Sequence, residues 1–460
     1  PRQMWYEAQG VIALDAGERW RMKQGQAVAE AARDEFPEGI FIGGKPTKDH
    51  LQSGQPLFEA QFQSDGLSAR TDILCPDPTG GWVLTEVKSS TMKRRPSQKE
   101  AMQDAAFQAL VFEQAGLDIT RVEIMHLNPE YERPDRGPLF KTFRLGRKRA
   151  ELVEAVRREA PRLKQVLRQS TPPSREVSRD CKKCDCPEPC VPLPQQSVFT
   201  LPDLYYQHID QLLADGRLTL DEVDGHRLLK PRHRHYIEAV RTQEPYVNSS
   251  AIQDALETLE YPIHFFDFEA IDWALPQFEG TSPWQKIPFQ YSLHILRNDR
   301  SIEHREFLHS SRRDPRQPLV EQMLHDVGER GSIVVYHSMF EKKRLEELKE
   351  AFPKYHHALQ SIIDRLWDQA DIFKNWHYIH PAQKGSWSLK NVLPALAPDL
   401  AYDDLDVQDG MAAVLRYNDL LECRSTSTRN NIRTELLEYC GRDTYAMVAI
   451  HQELRELVGF

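Results

Sequence analysis

The 460-residue chain lacks any run of about 18 apolar residues, so no helix of it is expected to span a bilayer. Its first residues, "PRQMWYEAQG", lack the basic-then-apolar pattern of a secretory leader. A cytoplasmic location is the expectation from both. A phosphate-cradling "GxxxxGK[ST]" segment is missing, so no helicase motor is read from the chain. Internal repeats and long low-complexity tracts are missing as well. Cysteine is scarce, with seven residues, and four of them crowd into 181–190. That distribution excludes a disulfide framework and points to a metal site in a reducing compartment. Positive charge is not in excess either: the net charge of −10 weighs lightly against a nucleic-acid partner.

What is present reads as globular. Hydrophobic residues make up 40% and charged residues 28%, ordinary for a soluble protein. The length exceeds what one compact core holds, so two or three domains are expected. Residues 1–195 read as α/β, with helical spacing over 27–36 and 104–116 and strand-like runs over 66–74, 81–89 and 121–129. A charged helix over 147–169 follows. The breaker-rich "QSTPPSREVSRD" leads into the cysteines and "PEPCVPLPQQ" leads out of them. Residues 196–258 read as a helical connector. From 259 to 460 a second α/β unit is expected. It has a buried strand over 261–270, a hairpin over 288–310 turning at "RNDR", and a strand over 331–338 feeding a helix over 340–352. Charge is uneven along the chain: residues 141–180 hold twelve Lys or Arg against five Asp or Glu, a local net of +7. Such a run is either a solvated helix face or a surface that tracks phosphates.

Two acidic constellations stand out. In the first, Glu86 and Lys88 are two apart in a strand-like run, so both project from one face. Asp72 lies on the preceding strand across a short loop. Two carboxylates suit a divalent cation that polarises a phosphate and lowers the pKa of an attacking water. The lysine suits positioning that water or offsetting charge that builds on phosphorus. Gln108, on the following helix, is placed to turn its amide toward them. The bland alternative is a surface strand of alternating charge, but the apolar residues just before Glu86 argue for the end of a core strand.

In the second constellation, Asp267 and Glu269 alternate on a strand and share a face. Tyr439 and Asp443 are one helical turn apart and also share a face. A tyrosine hydroxyl there suits orienting or deprotonating the attacking water. Between them "VVYHSMFEKKRL" offers His337 and Glu341 where a strand enters a helix, and Asp371 and Lys390 are further candidates. Between the two constellations, Cys181, Cys184 and Cys190 have ligand-like spacing, with Cys186 inside the span. Thiolates this close suit a tetrahedral zinc or an iron–sulfur cluster.

Asp72, Glu86-Val87-Lys88 and Gln108 resemble the PD-(D/E)XK nucleases, and within them the RecB-like branch. That resemblance implies a restriction-endonuclease-like domain, with Glu30 as a weaker match to the branch's upstream acidic or His position. Asp267-x-Glu269, Glu341 and Tyr439-x3-Asp443 resemble the DEDD 3′–5′ exonucleases of the DnaQ-like class, in the subgroup with Tyr in its last motif. A ribonuclease-H-like domain is implied. Glu341 stands where that class has Asp, and His337 where it has Asn. Cys181-x2-Cys184-x5-Cys190 resembles the three-cysteine tail of RecB-like nucleases of the helicase–nuclease and CRISPR-adaptation groups. This implies a 4Fe–4S cluster, with structural Zn2+ as the alternative. The lone upstream cysteine of those families is unmatched; in them it directly precedes a segment resembling "PRQMWYEA", so the fourth ligand is expected either from just before Pro1 or locally from Cys186. The order of parts resembles a bacterial family of fused nucleases.

The resemblances imply a hydrolase that uses Mg2+ or Mn2+, held by Asp72 and Glu86 in one domain and by Asp267, Glu269, Glu341 and Asp443 in the other. Its expected substrate is single-stranded or frayed DNA, with 3′ nucleotides removed at the second centre, in repair, recombination or antiviral defence. A nucleic-acid-binding scaffold with one decayed site and an RNA-processing exonuclease are the alternatives. No residue names the sugar.

Overall fold

Apolar residues recurring through 57–88 fold into three consecutive strands, and these form the middle of the first sheet. In the computed structural model, which describes all residues except 13, 135, 185, 187–191, 401–404 and 460, the chain divides into two units. One is Pro1–Pro173 with Asp272–Lys286; the other is Ser174–Ile271 with Ile287–Phe460. The cysteine segment and residues 196–258 fall in the second. Both units are mixed α/β.

The first unit is built on six strands in sequential order: Ile40–Phe41 (β1), Leu57–Ser64 (β2), Leu67–Pro76 (β3), Trp82–Lys88 (β4), Ile119–Leu127 (β5) and Phe140–Arg144 (β6). β2, β3 and β4 form an antiparallel meander; β5 runs parallel to β4, and β6 antiparallel to β5. Helix Ala16–Asp34 (α1) covers one face, placing Val28 and Ala32 against Ile73, Met125 and Leu127. Helix Arg95–Gln114 (α2) supplies the β4–β5 crossover on the other face, starting with a proline in its first turn. Its Ala101, Ala105, Ala106 and Ala109 let it lie close over Leu74, Leu84 and Ile124. Helix Lys148–Leu167 (α3) covers the same face through Val153.

Residues 272–286 complete the α1 face of this unit. Ala274 is buried with Val28 and Leu127, and its N–H donates to Gln24 Oε1 at 2.9 Å. The Trp20 indole donates to the Asp272 carbonyl at 3.0 Å, and the Trp284 indole to the Ser89 carbonyl at 2.5 Å.

The second unit holds a five-stranded sheet. Ile263–Asp272 (β7), Lys286–Leu296 (β8), Ile302–Leu308 (β9), Ile333–Val335 (β10) and Leu366–Asp368 (β11) stand in the order β9-β8-β7-β10-β11. β8 and β9 are the expected hairpin, in register Leu296↔Ile302, and β10 is parallel to both β7 and β11. β7 is the central strand and is covered on both faces. Phe266 and Phe268 pack toward helices Arg316–Val327 (α4) and Met339–Ala351 (α5). Ile263 and Phe265 pack toward the 33-residue helix Thr426–Val458 (α7), which follows Gly410–Glu422 (α6). Residues 196–258 are largely helical as expected, but Tyr246–Val247 forms a short antiparallel pair with Tyr378–Ile379. Among the described residues no helix is long and apolar enough to cross a membrane.

No expectation from the sequence covers β2, β6 or β11. β6 has five residues and β11 three, too few for a periodic signal, whereas β2 does alternate apolar with polar residues from Phe58 to Gln63 and is legible as a strand.

Gly331 fixes the entry to the second sheet. It sits at φ 88°, and a Cβ there would meet the Pro262 carbonyl oxygen at 1.9 Å. Next to it, the Ser332 N–H donates to the Glu260 carbonyl. Gly331→Ala should therefore destabilise the unit by roughly 2–4 kcal/mol, read as a lower midpoint of thermal unfolding. An unchanged midpoint would contradict this packing.

Candidate metal centres

The acidic residues of the first unit are brought together by strand register. One step beyond the Ile73↔Thr85 pair, Asp72 stands opposite Glu86. On its other side the β2–β3 ladder passes from Phe58↔Ile73 to Ala60↔Thr71, so Asp72 also faces Glu59, which adopts φ 55° at this break. Three carboxylates thus lie abreast on neighbouring strands. Asp72 Oδ2 accepts the Val87 N–H at 2.6 Å. Glu86 accepts from Gln108 Nε2 at 2.5 Å and pairs with Lys88 Nζ at 2.9 Å; Lys88 also reaches Asp104 Oδ2 at 2.7 Å.

The electrostatics follow from this geometry. Burial, then the charges of Glu86 and Glu59, push the Asp72 carboxyl well above its ordinary range, against the lowering effect of the Val87 N–H. For Lys88, burial opposes the charged form, but Glu86 and Asp104 outweigh it and hold the ammonium above its usual value. The structure therefore brings Asp72, Glu86, Lys88 and Gln108 together and adds Glu59 and Asp104. Glu59 is itself held by Arg70 at 2.9 Å and Arg33 at 3.5 Å. Glu30 is exposed on α1, and the acid beside Asp72 is Glu59 instead.

In the second unit, alternation on β7 places Asp267 and Glu269 on the same face as Ile263 and Phe265, the face that α7 covers. Tyr439 and Asp443 lie a turn apart on the buried side of α7. Carboxylate oxygens of Asp267, Glu269 and Asp443 come within 4.8 Å of one another, a set fit to hold a cation. Glu341 enters from the first turn of α5, 2% exposed, and its Oε2 has no hydrogen-bond partner. The turn into α5 is made by His337 at φ 64°, and Asp368 caps it by accepting the N–H groups of His337 and Ser338 at 2.9 and 3.0 Å.

Like charge dominates this site. Burial, then Asp443, Glu269 and Glu341, push the Asp267 carboxyl well up. Burial pushes Glu341 up to about 8, with Asp368 adding to the shift and Arg344 opposing it. Two unit charges 4.8 Å apart repel by about 3 kcal/mol at an effective dielectric constant near 20. Three such pairs amount to about 10 kcal/mol, the order of a domain's whole stability. Protons or a cation must therefore compensate them, and the oxygen-only set Asp267, Glu269 and Asp443 fits a hard divalent cation. Glu341, expected as a fourth ligand, is not in that set, though its charge acts on Asp267.

Other candidates are placed differently. Asp371 is exposed and pairs with Lys374 at 3.4 Å, while Lys390 donates to the Gln408 carbonyl. Cys440, which spacing does not single out, lies against Asp267, its Sγ 3.9 Å from Oδ2. Cys181 belongs to the 3-10 turn Arg179–Lys183, and Cys184 and Cys186 follow it. Cys190 lies outside the described residues, so the expected four-thiolate set is not complete within them.

Among known proteins, residues 264–388 match a family model described as a domain of unknown function, DUF2779. That stretch includes Asp267, Glu269 and Glu341 but not Tyr439 or Asp443. The chain is also similar to two uncharacterized mycoplasma proteins. One, from Mycoplasma pneumoniae, is 29% identical over 213 residues, covering 42% of this chain and 32% of the relative. The other, from Mycoplasma genitalium, is 24% identical over 242 residues, covering 48% and 36%. The chain thus matches about a third of the length of these curated relatives. No solved structure matches it.

The raised Glu341 carboxyl fixes a pH dependence. The folded protein keeps this proton above the unfolded carboxyl pKa, so the stabilising contribution is complete below about 4.5 and is lost as pH rises toward about 8. Between those values metal-free protein should lose stability relative to Glu341→Gln, by at most about 1.4 kcal/mol per pH unit. Parallel unfolding curves for the two proteins across that window would contradict the assignment.

Proposed function

We propose that the chain is a metal-dependent nuclease with two hydrolytic centres, acting on single-stranded or frayed nucleic acid, DNA in the first instance. The observation that carries the reading is the convergence of Asp267, Glu269 and Asp443, with the charge of Glu341 near enough to act on Asp267. The strand order β9-β8-β7-β10-β11, with acids on the central strand and the last helix, is what a ribonuclease-H-like exonuclease of the DnaQ-like class would use. The first unit supports the same chemistry. Its antiparallel pair bearing Asp72 and Glu86-x-Lys88, followed by a helix bearing Gln108, suits a RecB-like PD-(D/E)XK domain.

When bound, Mg2+ or Mn2+ supplies charge neutralisation at the scissile phosphate and a more acidic water. Asp72 and Glu86 are the groups that hold it in the first unit, and Asp267, Glu269, Glu341 and Asp443 in the second. Gln108 fixes the orientation of the Glu86 carboxylate. Lys88, anchored between Glu86 and Asp104, stays charged and offsets negative charge that develops on phosphorus. Tyr439, one turn before Asp443, orients the attacking water. Cys181, Cys184 and Cys190 with Cys186 would hold a structural 4Fe–4S cluster, or zinc in its place. Repair, recombination and defence against foreign nucleic acid are the processes such an activity serves.

The 460-residue chain supplied with Mg2+ or Mn2+ is expected to shorten labelled single-stranded DNA or RNA, the panel itself choosing the sugar. Lys88→Ala should remove one activity and Asp267→Ala the other, each by roughly 100-fold or more. Intact substrate at high enzyme concentration overturns the proposal. Tight, salt-sensitive binding with cleavage indifferent to Asp267→Ala would make the second unit a nucleic-acid-binding scaffold.

A further inference from the structure

Beside the first acidic set lies a cleft that the chemistry above does not use. Lys88 pairs in register with His126 of β5, on the sheet face that α2 covers. On that face, between β5, β6 and the first turns of α2 and α3, opens a cleft of about 640 Å3. Its floor is apolar, formed by Met92, Met102, Phe143 and Leu145, and its rim is cationic, formed by Arg144, Arg147 and Lys148. The His126 ring stands 5.8 Å from that of Phe143, tilted by 58°. Methionines give such a floor an adaptable surface. Arg144 is paired with Glu123, but Arg147 and Lys148 are exposed and have no carboxylate partner among the described residues.

We propose that this cleft is a subsite for one unpaired nucleotide of a single strand. The base lies against Phe143, His126 and the methionine floor, and its phosphate between Arg147 and Lys148. Sites for single strands combine these two elements, an aromatic or apolar platform for the base and cations that track the backbone. The volume falls within the usual range for small-molecule pockets, about 300–1,000 Å3. A duplex keeps its bases stacked inward and cannot present one to this floor. The cleft also shares an element with the acidic set, since α2 carries Met102 in the floor and Asp104 and Gln108 on Lys88 and Glu86. A nucleotide seated here is thereby held alongside the strand that reaches Asp72 and Glu86. The cationic rim is the first part of the basic stretch 141–180, which thus tracks phosphate at least here. What happens to the strand rests on the nuclease reading; the binding does not.

The test is fluorescence anisotropy of the full chain in EDTA, which prevents cleavage, with labelled oligothymidylate, an abasic strand of equal length, and a duplex. Oligothymidylate should bind tightest. The double change Arg147→Ala with Lys148→Ala should weaken it and reduce the slope of log K against log salt by about 0.7, the one phosphate held between them. His126→Ala and Phe143→Leu should weaken oligothymidylate by roughly 5-fold or more and leave the abasic strand unchanged. Phe143 also packs on the core, so His126→Ala and unfolding midpoints separate lost binding from lost folding. Unchanged affinity and salt slope in folded variants, or equal binding of duplex and single strand, overturns the subsite. Weakened binding by the variants in a protein that cleaves nothing with metal upholds the subsite and removes the nuclease reading. Cleavage with unaffected binding does the reverse.

Discussion

Buried like charge is the constraint around which the second unit is organised. Asp267, Glu269 and Asp443 crowd within 4.8 Å, with Glu341 close enough to raise the Asp267 carboxyl further. Carboxylates in this setting cannot all ionise on their own, so the fold holds them together against a repulsion of the order of its stability. It does so with large apolar clusters on both faces of β7 and with a 33-residue helix lying over one of them. Such a costly arrangement is retained where a cation or a set of protons repays it, and perturbed carboxylates of this kind gather at functional sites.

The first unit answers the same problem differently. Its carboxylates lie abreast across β2, β3 and β4, and cations of the chain itself compensate them: Arg33 and Arg70 at Glu59, Lys88 at Glu86. Asp72 has no cationic partner of its own in this row, and burial with the neighbouring charges of Glu86 and Glu59 drives its carboxyl upward. Residues 272–286 stiffen the surroundings, because the Trp284 indole holds the carbonyl of Ser89 directly after Lys88. Positioning by packed, hydrogen-bonded neighbours is what keeps such groups in working geometry.

The parts of these sites that sequence makes legible are the ones set by local periodicity. Alternation on a strand puts Asp267 with Glu269 and Glu86 with Lys88, and the helical turn puts Tyr439 with Asp443. Glu341 is legible as a residue, though not as a carboxylate with a bare buried oxygen. Glu59 carries no such signal, because its place beside Asp72 depends on the β2–β3 register and on a backbone break at φ 55°. Asp104, Asp368 and Cys440 act across elements and are equally silent in the sequence. The same holds for 272–286, whose membership of the first unit follows from contacts with residues some 250 positions away. Strands β6 and β11 are five and three residues long, so their pairing partners define them more than their own composition does, whereas the alternation in β2 is a legible signal.

The claim that the carboxylates of the second unit form a divalent-cation site is tested most directly by titrating the chain with Mn2+ near pH 7 in an Asp72→Asn, Glu86→Gln background, which disables the acidic pair of the first unit. Calorimetry in two buffers of different ionisation enthalpy counts the protons released as the ion binds. The raised Asp267 and Glu341 carboxyls predict saturable binding with proton release, and loss of that signal in Asp443→Asn. Absence of binding, or binding without proton release that Asp443→Asn leaves unchanged, would contradict it.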